Sequence, residues 1–127
     1  MTKEFIDYEQ ALELKELGFD EECIASYTQT LRFDVLEQNG IMWHTVTNEK
    51  LKEYEKACTV PLYQQAFRFF RDKYGVKVIS IGGDNERLYS YIIHPENNEQ
   101  IFGKKEDTYD KAELACLKKL IEILKNK

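Results

Sequence analysis

The chain has 127 residues, 43% of them hydrophobic and 13% aromatic, with a formal charge of −5. That length fits one domain, and the apolar content is too high for a disordered chain. The charge is uneven: residues 1–59 carry 6 Lys/Arg against 13 Asp/Glu, residues 60–127 carry 12 against 10, so nucleic-acid binding is disfavoured, least so in the C-terminal half. Three cysteines, Cys23, Cys58 and Cys116, form neither a disulfide framework nor a zinc-ligand pattern, and Cys116 reads as a small buried hydrophobe. With no leader-like start and no membrane-length apolar run, the expectation is a cytoplasmic protein without membrane contact.

The first helix is expected over 8–17. Asp7 and Gln10 have capping-box spacing, Tyr8, Ala11, Leu14 and Leu17 follow at near-helical intervals, and Gly18 takes the stop position with Phe19 folding back on Leu14. Cys23–Thr28 and Leu31–Leu36 read as a hairpin, with Leu31, Phe33 and Val35 on a buried face. Asn39-Gly40 signals a turn before a strand over Ile41–Val46. The charged segment 48–57 reads as a short helix or a mobile connection, so 48–60 is the expected link between the halves of a single domain, 1–47 and 61–127.

In the second half, Pro61 opens a helix whose stripe is Tyr63, Ala66, Phe67, Phe70 and Tyr74, ending at Gly75. A strand over Val76–Ile81 follows, with Val76, Val78 and Ser80 opposing Lys77, Ile79 and Ile81. A turn at 82–85 leads to a strand over Leu88–Ile93, then a turn at 95–98 and a short strand over Gln100–Gly103. Thr108 or Asp107 caps a last helix, 109–125, with Leu114, Leu117, Ile121 and Leu124 along its face, widened by Ala112, Ala115, Cys116 and Ile123. The expected fold class is α+β: a two-layer sandwich with an antiparallel meander sheet and helices on one face, α-β-β-β-α in 61–127. The N-terminal helix and hairpin would extend that sheet or cover its edge.

The segments YEQALELKELGFDEEC (8–23), PLYQQAFRFFRDKYG (61–75) and TYDKAELACLKKLIEILKNK (108–127) resemble a family of small, uncharacterised phage and prophage proteins of Bacteroides-like hosts. They cover about two fifths of the chain. The resemblance implies an accessory protein working in an infected bacterium and brings no activity, catalytic residue or ligand with it. The element order from 61 also resembles double-stranded RNA-binding domains. There, however, the loop Gly82-Gly83-Asp84-Asn85-Glu86 is acidic, and the last helix opens with one lysine, Lys111.

No nucleophile–base arrangement, phosphate loop or metal-ligand spacing stands out, so no enzyme, cofactor or metal is expected. His44 and His94 read as surface or turn histidines. The candidate partner-binding residues are Arg68, Phe69 and Arg71 on the 61–74 helix, Tyr89 and Tyr91 in the Leu88–Ile93 strand, and Trp43. Arg and aromatic anchors are the types enriched at binding hot spots. Phe69 lies off the helix's main stripe: exposed, it marks an interface; buried, a helix covered on two sides. The leading expectation is a non-catalytic binding protein contacting a host protein or small ligand. The alternatives are a nucleic-acid-binding module and a structural homo-oligomer joined at a sheet edge or through a Tyr-rich surface.

Overall fold

The computed structural model describes residues 4–35, 38–39, 42–43, 45–95 and 99–126, with only the backbone at 38–39 and 42–43. The chain forms two units, Met1–Leu62 and Tyr63–Lys127. Both are α+β, with three α-helices in all among the described residues.

In the first unit, α1 spans Tyr8–Glu16. Asp7 is its N-cap, but the capping box does not form: the Asp7 side chain makes no cap bond, and Gln10 is drawn into the interior. The C-terminus is as expected. Gly18 takes φ 95°, the Phe19 N–H donates to the Leu14 carbonyl at 2.9 Å, and the Gly18 N–H donates to the Lys15 carbonyl at 3.1 Å, a Schellman closure.

β1 (Ala25–Tyr27) and β2 (Phe33–Val35) pair antiparallel, so the hairpin exists but is shorter than expected. Leu31 is not a strand residue. It sits in the turn at φ 66°, and both it and Val35 are exposed, so the face predicted as buried is covered only at Phe33, whose ring meets Phe5 at 5.6 Å and Tyr27 at 5.4 Å. β3 (Gln38–Asn39) and β4 (Met42–Trp43) form a separate antiparallel pair. Gly40 of the expected Asn39-Gly40 turn, with Ile41 and His44, lies outside the described residues. Val46 returns to bridge Cys23 through two 2.9 Å backbone bonds.

The segment expected as a link is built into the first unit. A 3-10 helix spans Glu49–Leu51, and β5 (Cys58–Thr59), not foreseen, pairs with β1 on the side opposite β2. These strands make their own sheet, β2-β1-β5, instead of extending the C-terminal one. A run this charged has little to bury, so its order comes from satisfied polar groups. The Lys15 ammonium donates to the carbonyls of Leu51, Tyr54 and Ala57 at 3.5, 3.1 and 2.6 Å. The Tyr8 hydroxyl donates to the Lys56 carbonyl, and the Asp20 and Gln29 side chains accept from the Glu49 and Lys56 N–H groups. Buried Asn48 donates to the Phe19 carbonyl at 2.7 Å and accepts from the Thr59 N–H at 2.9 Å.

In the second unit, α2 spans Tyr63–Tyr74 and ends at Gly75 with φ 68°. β6 (Val78–Gly83), β7 (Tyr89–His94) and β8 (Ile101–Phe102) form an antiparallel sheet with β7 central. α3 spans Tyr109–Lys125, with the Thr108 hydroxyl accepting from the Lys111 N–H at 3.2 Å. α3 lies across β6 and β7, and α2 packs alongside α3.

Three details depart from expectation. β6 starts two residues late, though the expected alternation holds, with Val78 and Ser80 exposed and Ile79 and Ile81 turned inward. Gly82 and Gly83 belong to the strand; the turn is Asp84–Arg87, closed by Asp84 N–H to the Leu88 carbonyl, with Arg87 at φ 64°. The buried face of α3 includes Leu120 and Glu113, whereas Leu114 and Leu124 are only half-buried.

Two substitutions separate a satisfied buried polar group from an unsatisfied one. Asn48→Ala strands the Phe19 carbonyl and the Thr59 N–H, and should cost about 2–4 kcal/mol in urea unfolding. The buried Thr59 hydroxyl has no hydrogen-bond partner among the described residues. Thr59→Val should therefore raise stability, by about 1 kcal/mol in the same assay.

Candidate functional site

The six predicted partner-binding residues do not gather into one patch. Arg68 and Arg71 are exposed on α2. Phe69 is not an exposed anchor: it is 5% accessible, with its ring edge-on to Phe70 at 5.5 Å and Tyr74 at 5.6 Å and the Lys73 ammonium 5.5 Å from its centre. The 61–74 helix is thus covered on more than its main stripe. Tyr91 is buried, and Tyr89 is half-buried with its ring 6.1 Å from Tyr109. Both tyrosines point to the α3 side of the sheet, where they rim the core. Gly103 is required beneath Tyr91, because a Cβ there would lie 2.3 Å from the ring. Trp43 lies in β4, and its side chain is outside the described residues.

Two of the cysteines, Cys58 and Cys116, lack reactive character. All three are buried, and none forms a disulfide among the described residues. Burial pushes the Cys58 thiol up to about 11 despite the opposing pull of Lys15, and burial with the nearby Glu113 pushes Cys116 up to about 12. A thiol so raised is not a nucleophile at neutral pH. Among the described residues, no group of three or more His, Cys, Asp or Glu is placed to hold a metal.

The first unit carries an open hollow of about 560 Å³, lined by Leu12, Lys15, Glu16, Lys52, Glu53, Glu55 and Lys56. Three lysines face three glutamates there, so the hollow has no net charge to draw an ion. The Lys15 ammonium is already spent on backbone carbonyls.

Two lysines near the start of α3, where an RNA-gripping surface would lie, are paired locally. Lys105 pairs with Asp84 at 3.0 Å across from the β6–β7 turn, and Lys111 pairs with Asp107 at 2.8 Å at the start of α3. Asp84 also accepts from the Leu88 N–H, and that bond, then the Lys105 pair and the Glu86 N–H, hold its carboxyl below the usual range.

Sequence reasoning missed the sheet face away from α3. Strand alternation puts Ile79, Ile81, Tyr91, Ile93 and Ile101 on the helix side and Val78, Ser80, Ile92, His94 and Phe102 on the other. Phe102 pairs directly with Ile92 and is 68% exposed; Val78, diagonal to Ile92, is 41% exposed. His94 belongs to this face at the end of β7, not to a turn. The signal was the two-residue period of Ser90, Ile92 and His94, which shows alternation but not which face a helix covers. No known protein-family model, curated protein or solved structure matches the chain.

Glu113 was missed as well. It is 8% accessible, with burial, reinforced by Asp110, pushing its carboxyl from an ordinary 4.5 up to about 7. The folded state therefore favours the neutral form: the stability contributed by Glu113 is complete below about pH 4.5 and is lost as pH rises through about 7. Glu113→Gln should leave stability unchanged at pH 4 and raise it at pH 8 relative to the parent, read by thermal melts across that range.

Proposed function

We propose that this chain is a non-catalytic binding protein whose contact surface is the open face of the β6–β7–β8 sheet. The observation that carries the reading is the run Phe102–Ile92–Val78: three apolar side chains on contiguous strands, two of them large and exposed, on the face that no α3 residue covers. Exposed apolar groups clustered on a rigid sheet are what a protein partner buries. The buried, raised thiols support a role without catalysis, and the neutral hollow offers little to a small charged ligand. Together with the phage-protein resemblance of residues 8–23, 61–75 and 108–127, this favours an accessory protein in the host cytoplasm that engages a host protein, in its most concrete form to inhibit it.

Phe102→Asp tests the surface directly. At an exposed position the change should shift stability by no more than about 0.5 kcal/mol. It should abolish capture of a specific host protein from lysate, whereas Arg71→Ala on α2 should leave capture intact. Equal capture by Phe102→Asp and the parent would refute the surface. A salt titration with double-stranded RNA covers the nucleic-acid alternative: the ion pairs at Lys105 and Lys111 lead to no binding at low salt, and steeply salt-dependent binding would favour RNA instead.

A further inference from the structure

The two edges of the second unit's sheet are built differently. The β8 edge is two residues long and runs into Gly103, Lys104 and Lys105, a short and charged edge of the kind that discourages further pairing. The β6 edge is six residues, Val-Ile-Ser-Ile-Gly-Gly, with no charge or proline; at its start the Lys77 N–H also donates to the His94 carbonyl at 2.9 Å. The hydrogen-bonded pair Asp84/Leu88 sets the phase of that ladder: 82/90, 80/92 and 78/94 bond inward. The N–H and C=O groups of Ile79, Ile81 and Gly83 therefore point outward, and no strand pairs with them among the described residues. Ile79 and Ile81 also stay half-buried, while Tyr91 and Ile93 beside them on β7 are covered.

We infer that the β6 edge pairs antiparallel with the β6 edge of a second copy of this chain, about a twofold axis at Ile81. In this register Ile81 meets the partner's Ile81 and Ile79 meets the partner's Gly83, which uses all three outward-facing residues, each pair exchanging both N–H···O bonds. Opposed residues share a sheet face, so the half-buried isoleucines cover one another on the α3 side. Charge selects a copy of this chain as the occupant. Lys77 precedes the strand and the acidic turn with Asp84 and Glu86 follows it, so antiparallel self-pairing brings Lys77 to the end of the ladder where the partner's acidic turn begins, at both ends. Neither Lys77 nor Glu86 makes a salt bridge among the described residues; Asp84 already pairs with Lys105. The product is a continuous six-stranded sheet with two copies of the open Phe102 face on one side. This pairing and the binding role of that face stand or fall separately.

On the open side of the strand, the register puts Ser80 opposite the partner's Gly82. Both positions are exposed, and a Cβ on Gly82 meets nothing within 4 Å. Sedimentation equilibrium of the parent should give twice the 15.0 kDa chain mass. The double variant S80K/G82K places like charges opposite each other twice and should be monomeric, with at least a tenfold weaker dimer. S80K/G82E places opposite charges there and should restore the dimer. A monomeric parent at millimolar concentration, or a dimer indifferent to S80K/G82K, overturns the inference. Hydrogen exchange on the parent needs no variant to fold: the Ile79, Ile81 and Gly83 amides should lose protection on dilution, and concentration-independent exchange there overturns it equally.

Discussion

The second unit depends on α3 lying across β6 and β7. Its buried face, Ala112, Cys116, Leu117, Leu120 and Ile121, covers the side of the sheet that carries Tyr91 and Ile93. At about 25 cal/mol per Å² of apolar surface removed from water, burial on this scale is the main force fixing the sheet's register. A strand has two faces, and the helix occupies only one. The exposure of Phe102 and Val78 follows from that choice, as does the inward turn of the tyrosines expected to face a partner.

The first unit is held in a different way. Much of 48–57 is charged and exposed, yet it makes ordered turns because its backbone groups are taken by side chains from elsewhere in the unit. Lys15 caps three carbonyls, and Asn48 ties the loop after α1 to β5. An ammonium offers three donors and an amide both donor and acceptor, so one residue of each type can replace several apolar contacts. The same bonding removes Lys15 from any role in attracting a ligand to the neighbouring hollow.

Helices were the most legible part of the chain. The Gly18 and Gly75 stops, the Thr108 cap and the stripe of α2 all lie within a few residues of what they control, and local chemistry of that kind is written in consecutive letters. Strands were legible as existing but not in their phase. Val76 to Ile81 contains apolar residues at both parities, so period alone could not say whether Val78 or Ile79 faces the helix. β5 is two residues long and forms only because β1 offers an edge, a contact across more than thirty residues that no local pattern records. The binding candidates failed for the same reason: Phe69, Tyr89 and Tyr91 have the residue types of an interface, but their accessibility is settled by what packs on them.

By itself the sequence determined the mixed α+β class, the three helices and their stops, the antiparallel meander after α2, and buried character for Cys116. These rest on short-range periodicity and capping, which act before distant segments meet. Only the tertiary structure decided that the N-terminal strands close on β5 as a separate sheet, that Glu113 sits in an apolar setting, and that, among the described residues, one sheet face carries no helix and no strand pairs with the outer edge of β6. Each of those depends on which surfaces are covered, and covering is a property of contacts between segments far apart in the chain.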